Sequence, residues 1–168
     1  MYNLIDSHDT PRISYQCSGD ARQVKLAYLL MLTFTGSPSI YYGSEVGMAG
    51  APGQNRQCMP WDSADWDIEL QQFVRKLIHL RKKHPSFRQL DITWLQVDGM
   101  ENYLLYQKEA EEESLYVALN ASDCDIAINL PEELQNHQVL DLLEDTPLLL
   151  NRNAMLPAYG CFLCLKNH

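Results

Sequence analysis

Two short, mostly apolar runs set the frame for the N-terminal half of the chain. Residues 2–6 lead into the polar stretch Ser7-His8-Asp9-Thr10-Pro11, and Ser39-Ile40-Tyr41-Tyr42-Gly43 leads into a long loop rich in Gly, Ala, Pro and Asn. A short apolar run bounded by turn residues reads as a buried strand. Between the two runs, Leu26, Leu29, Leu30 and Leu32 stand behind two candidate N-caps, Ser18 and Asp20, and Gly36 offers a C-terminal stop, so a helix is expected there. Beyond the loop, which runs from Ser44 to near Asp65, the residues Leu70, Phe73, Val74, Leu77, Ile78 and Leu80 recur at helical spacing. That run starts at Asp65 or Asp67, ends on the basic Arg81-Lys82-Lys83, and is stopped by Pro85. The order is therefore β-α-β-α. A crossover helix returns the chain to the same end of the sheet, so the two strands run parallel and their polar loops open on one face. In (β/α)₈ barrels that face carries the chemistry.

From about Asp91 the pattern changes. Short strand candidates fall at residues 92–97, 103–108, 115–120, 126–130, 138–142 and 161–166, with turns at Asp98-Gly99, 109–113 and 121–123. Several short strands at this spacing predict an antiparallel β-sandwich. Two domains follow: 1–88, α/β, and 89–168, all-β. The run Glu111-Glu112-Glu113 reads as a solvated hairpin tip. The five cysteines, Cys17, Cys58, Cys124, Cys161 and Cys164, are odd in number and scattered, which argues against a disulfide framework. Cys161 and Cys164 form a single C-x-x-C on a predicted strand, where the two thiols point to opposite faces. They are expected to be buried strand residues, and no metal site and no cofactor is expected.

The formal net charge of -9 disfavours nucleic acid and anionic membrane as partners, while suiting a neutral substrate such as a sugar. No signal peptide is visible, and the apolar stretch 26–34 is far too short to span a bilayer. The expectation is a cytoplasmic protein.

On its own, the pair His8-Asp9 at a strand end could ligate a metal, hold a hydroxyl group or cap a turn. A second cluster narrows the choice. Gly36-Ser37-Pro38-Ser39-Ile40-Tyr41-Tyr42-Gly43-Ser44-Glu45 sits at the next strand end, followed by Asn55-Arg56 and Met59-Pro60-Trp61-Asp62. With parallel strands, carboxylates, a histidine, an arginine and aromatics converge in one concave place. Aromatic faces stack on sugars, and charged groups bind hydroxyls through short, strong hydrogen bonds.

Here a resemblance becomes specific. The segment 3–12 resembles the fourth conserved region of the α-amylase family (glycoside hydrolase family 13), which ends in His-Asp. The pattern Gly36-x-Pro38-x-Ile40-Tyr41-Tyr42-Gly43-x-Glu45 is similar to the signature of that family's eighth barrel strand. Segments 113–120 and 159–160 resemble its C-terminal domain, and the nearest branch is that of neopullulanases, cyclomaltodextrinases and maltogenic amylases. The resemblance implies barrel strands seven and eight followed by a β-sandwich, and a retaining hydrolase of α-glucosidic bonds in maltooligosaccharides, cyclodextrins or pullulan. It places the transition-state-stabilising carboxylate on Asp9 and a hydroxyl-binding role on His8. Arg12 would bind substrate or brace the loop. Tyr42 would pack the barrel or face sugar, Glu45 would support the subsite, and Arg56 would meet the sugar on the non-reducing side. Trp61 and Asp62 would anchor the long loop.

The chain also departs from the family. Where Asp-Pro-x-x-Arg is usual, Arg56 is preceded by Pro52-Gly53-Gln54-Asn55, without the acid. No G-x-R-x-D occurs, although in the family this motif carries the nucleophile, and a later glutamate carries the general acid. The expectation is a polypeptide that is inactive alone and self-associates through exposed barrel surface. The alternative is a non-catalytic glucan-binding or structural β-sandwich remnant.

Overall fold

A parallel pair of very short strands opens the chain. Strand β1 (Tyr2–Asn3) pairs with β2 (Ser37–Pro38) in the register Tyr2↔Ser37 and Asn3↔Pro38. Both strands are shorter than the sequence suggests, and β2 lies two residues earlier than expected. The run is also not buried, since Tyr2 is 70% exposed and Leu4 47%. A strand's extent is set by the neighbours that bond to it, and β1 and β2 bond only to each other among the described residues. Residues 1–96 and 103–168 are described; the turn expected at Asp98-Gly99 lies outside them.

Three helices complete the first compact unit of this computed structural model, Met1–Lys82. Helix α1 (Ile13–Gln16) is a single turn that the sequence pattern did not reveal. Helix α2 (Ala21–Thr33) starts at Asp20, whose side chain accepts from the Arg22 amide, and buries Val24, Tyr28, Leu29, Met31 and Leu32. Helix α3 (Ile68–Lys83) buries Leu70, Val74, Leu77 and Leu80, the stripe that the periodicity requires. From α3, Arg81 donates to the carbonyls of Leu32 (2.8 Å), Phe34 (3.3 Å) and Gly36 (2.6 Å). It thereby satisfies acceptors that the end of α2 leaves open. Gly36 sits at φ +110°, and a Cβ there would lie 2.9 Å from the Met1 carbonyl oxygen, so the close approach of β1 to β2 requires glycine. None of the helices is long and apolar enough to cross a membrane among the described residues.

The second unit, Lys83–His168, is antiparallel. Its six-stranded sheet runs in the order β3 (Thr93–Gln96), β4 (Tyr103–Glu109), β5 (Glu113–Asn120), β10 (Cys161–Asn167), β7 (Gln138–Asp141), β8 (Thr146–Leu149). A second sheet pairs β6 (Ile126–Asn129) with β9 (Asn153–Leu156). Tyr103, Leu105, Tyr116, Ala118, Ile128, Val139, Leu156, Phe162 and Cys164 form one apolar cluster between the two sheets. Strand β5 is buried at every position, because the turn Pro85–Arg88 packs on its other side. Cys164 is buried and Cys161 half-buried, and among the described residues no group of His, Cys, Asp or Glu is placed to hold a metal ion.

One sequence reading is corrected here. Glu113 is not part of a solvated tip. It is 8% exposed, and its carboxylate accepts from His84 Nδ1 (2.8 Å), the Ser86 amide (3.0 Å) and the Ser86 hydroxyl (2.7 Å). His84 is 7% exposed and is the structural partner of this carboxylate. Nearby, the buried Lys108 donates to the Phe87 carbonyl at 2.7 Å. These bonds fasten residues 84–87 to the sheet.

Burial pushes the Glu113 carboxyl up, but the Ser86 amide and hydroxyl and the His84 imidazole outweigh it and hold it below its ordinary value. A carboxylate depressed in the folded state contributes stability that is fully present above the unfolded value, about 4.3, and that is lost as pH falls through the depressed one. Thermal melts of the chain between about pH 5 and pH 3 are therefore expected to lose stability more steeply for the native protein than for Glu113→Gln. Parallel curves for the two proteins would remove this carboxylate from the acid response.

Candidate active site

The loop after β1 is built around its own short side chains. The Ser7 amide donates to Thr10 Oγ1 (2.9 Å), and the Asp9 amide donates to Ser7 Oγ (3.1 Å). These local bonds replace strand bonding and turn the chain sharply, which lifts His8 and Asp9 outward. Asn55 then reaches in from the long loop. Its side-chain amide lies 3.2, 2.7 and 2.8 Å from the carbonyls of Ser7, His8 and Thr10, and the residue is 5% exposed. Arg56, next in sequence, donates Nε to the His8 carbonyl (3.1 Å) and Nη2 to Asp9 Oδ1 (3.2 Å).

Asp9 thus stands between two groups. His8 Nε2 lies 3.1 Å from Asp9 Oδ2, while Arg56 holds the other oxygen. The side chains of Asp9, His8 and Arg56 are 70%, 61% and 67% exposed. Ion pairs this open to water are worth about 0–1 kcal/mol, so the carboxylate can turn to an incoming charge or hydroxyl at little cost. The three residues line one open depression of about 360 Å³ together with Thr10, Pro11, Pro52, Gly53 and Asn55.

Beneath this depression lies a buried polar layer. Asp6, 2% exposed, accepts with one oxygen, Oδ2, from the Ile13 amide (2.9 Å) and from Ser44 Oγ (2.6 Å). Arg12, fully buried, donates Nη1 to the Tyr42 carbonyl (2.7 Å) and to Ser44 Oγ (3.0 Å). Its guanidinium lies 4.6 Å from the ring centre of Tyr41 and 4.9 Å from that of Tyr42, within cation–π range. The two rings meet edge to face at 4.6 Å. Tyr42, 40% exposed, donates its hydroxyl to the Gln57 carbonyl at 2.6 Å.

The six residues singled out from the sequence are therefore divided. His8, Asp9 and Arg56 are brought together at the surface. Arg12 is enclosed and meets protein on every side, so it braces the loop and offers no face to a sugar. Tyr42 spends its carbonyl, ring and hydroxyl on the same bracing while keeping part of its ring in water. Glu45, in the single turn Ser44–Val46, is half-buried and its Oε2 is fully enclosed, facing the interior and not the depression. Burial above all, then the nearby carboxylates Asp6 and Glu45, pushes the Tyr28 phenol well above its ordinary value, while the Arg12 guanidinium acts the other way. Trp61 does not anchor the long loop, being 84% exposed; Trp66 does so instead, donating its indole N–H to the Pro60 carbonyl (2.6 Å), and Asp62 caps the turn Ser63–Asp65. Sequence reasoning gave no role to Asp6, Ser44, Tyr28 or the Asn55 amide. An acid on an otherwise apolar run was the one visible sign of the first.

Comparison with known proteins places this geometry in context. The family model for the α-amylase catalytic domain matches residues 1–98. A cyclomaltodextrinase of Geobacillus thermopakistaniensis (strain MAS1) is 39% identical over 166 aligned residues, covering 96% of this chain and 28% of the relative. A maltogenic α-amylase of Bacillus acidopullulyticus is 36% identical, covering 92% of this chain and 27% of its own length. A solved cyclomaltodextrinase structure superposes with a TM-score of 0.88 at 32% identity, over 100% of this chain and 29% of that one. The chain therefore spans less than a third of the length of these relatives.

Proposed function

Because the chain belongs to the α-amylase family, we propose that it supplies the transition-state-stabilising side of a retaining α-glucan hydrolase site. The observation that carries the reading is the exposed triad His8, Asp9 and Arg56, gathered where β1 ends, with its loop pinned from below. In this reading β1 and β2 are the seventh and eighth strands of a (β/α)₈ barrel, and the antiparallel unit is the C-terminal domain. The substrates are maltooligosaccharides, cyclodextrins or pullulan.

Glycosidic cleavage of this kind builds positive, oxocarbenium-like charge on the sugar ring. Asp9 answers it: its carboxylate, turned toward the ring, stabilises the developing positive charge. His8 and Arg56 hold hydroxyls of the same and the neighbouring sugar through charge-assisted hydrogen bonds. Arg12, Tyr42 and Glu45 support these three from beneath. With Pro52 in place of the usual acid, the outer sugar is held by Arg56 without an opposing carboxylate, which favours looser selection there.

Bond cleavage also needs a nucleophile and a general acid about 5–5.5 Å apart. The 168 residues contain no G-x-R-x-D, and in this reading Asp9 stabilises charge and does not attack. The purified chain is therefore expected to form a dimer or larger assembly, through β1, β2 and the exposed Tyr2 and Leu4, and to release no reducing sugar from maltotriose or cyclodextrin. Light scattering followed by a reducing-sugar assay checks both. A clean monomer at high concentration, or steady sugar release, overturns this part of the reading.

A further inference from the structure

The buried layer under Asp9 has a geometry that its parts do not need for packing alone. Asp6 and Arg12 stand at the two ends of the loop 7–11, and both are fastened to the segment 42–50. Asp6 Oδ2 takes the Ser44 hydroxyl proton (2.6 Å), which leaves that oxygen free to accept from Arg12 Nη1 (3.0 Å). Arg12 Nη1 also reaches the Tyr42 carbonyl (2.7 Å), and the Arg12 amide donates to the Gly50 carbonyl (3.0 Å). The Ile13 amide closes the ring on Asp6 (2.9 Å). Arg12 and Ser44 are fully buried and Asp6 almost so. We infer that Asp6, Ser44 and Arg12 form a buried clasp that positions the loop bearing His8 and Asp9, with Arg12 as its central positioning residue.

The chemistry explains why arginine stands there. The guanidinium lies within cation–π range of both tyrosine rings while one of its nitrogens serves two acceptors. A lysine would keep the charge, but its compact, strongly hydrated ammonium on a different stem has no planar face to set beside the rings. Asn55 holds the same loop from the solvent side through its carbonyls, so loss of the clasp would loosen the loop's footing without releasing it.

The value of the clasp to catalysis rests on the function proposed above; its value to the loop does not, and the test uses no sugar. Amide hydrogen exchange is followed by NMR on the whole chain and on Arg12→Lys. The expected result is at least tenfold faster exchange at Ile13 and Asp9, and a shifted His8 ring nitrogen resonance, with unchanged exchange at Leu29 and Leu32 inside α2. Unchanged rates at Ile13 and Asp9 overturn the inference. So does an acceleration shared equally by α2, which would make Arg12 a packing residue only. If Arg12→Lys does not fold, Ser44→Ala, which removes one hydroxyl, carries the same measurement with the same two outcomes.

Discussion

Under the proposed function, Asp9→Asn in a protein that completes the α-glucan hydrolase site is expected to lower kcat by about 10²–10³-fold while leaving KM within a few-fold. A preorganised polar group aimed at developing charge contributes about 2.7–4 kcal/mol to the transition state. A Coulomb estimate agrees: a full carboxylate charge about 4 Å from a sugar cation contributes about 4 kcal/mol at an effective dielectric near 20. Asparagine preserves size and a hydrogen bond to Arg56, so the change removes charge with little disturbance of a side chain that is already 70% exposed. Because the charge on the sugar exists only in the transition state, the loss falls on kcat. Steady-state kinetics on maltotriose, with circular dichroism to check folding, measures it. An unchanged kcat would take Asp9 out of the chemistry.

The second large effect belongs to stability. Asn120, fully buried at the end of β5, points its amide at the carbonyls of Cys124 (2.8 Å), Leu156 (3.3 Å) and Pro157 (2.8 Å). Its Oδ1 accepts from the Ser122 amide (2.9 Å) and hydroxyl (2.6 Å). One side chain thus joins β5, the turn that follows it and the end of β9, where no strand pairing exists to do so. Asn120→Ala leaves these partners without it, and each buried group left unpaired costs about 1–3 kcal/mol. A total loss of about 3–5 kcal/mol is expected once part of the strain relaxes. Urea unfolding of the chain measures it. A loss below about 1 kcal/mol would show that those carbonyls find other donors and that the join is dispensable.

Both predictions rest on residues whose visibility in the sequence differed. Helix α3 was legible because its apolar spacing is produced by the same burial that stabilises it; Leu70, Val74, Leu77 and Leu80 are all inside. Strands β4, β5, β7 and β10 were legible for a related reason, being apolar runs between polar turns. Strand β8 was not. It contains Pro147, which lacks a donor and reads against a strand, yet β8 is an edge strand where a missing N–H is tolerated. Strand β9, with Asn153 and an exposed Met155, has no clear alternation to read.

At the site, His8 and Asp9 were legible through a family motif, and Arg56 through its neighbours. Their arrangement was not, because it depends on contacts such as Asn55 to His8, 47 residues apart. Arg12 was half-legible: its charge suggested either a sugar contact or a brace, and its enclosure, which no local pattern announces, supports the brace. Glu113 was misread for the converse reason. A run of three glutamates resembles a solvated turn, and nothing local announces that His84 and Ser86 arrive to meet the last of them.

The clasp beneath Asp9 has a consequence for how this sequence can vary. Asp6, Ser44 and Arg12 share a single hydroxyl proton and a single positive charge among them, so no one of the three can drift alone. An apolar replacement at position 6 would leave the Ser44 hydroxyl and the Ile13 amide without their acceptor, and one at position 12 would leave the Tyr42 carbonyl and Ser44 Oγ without their donor. Among related chains these three positions are expected to exchange as a set, whereas Arg56, out in the solvent, can be traded singly. The record of substitutions should thus trace the buried support more sharply than the exposed His8, Asp9 and Arg56 above it.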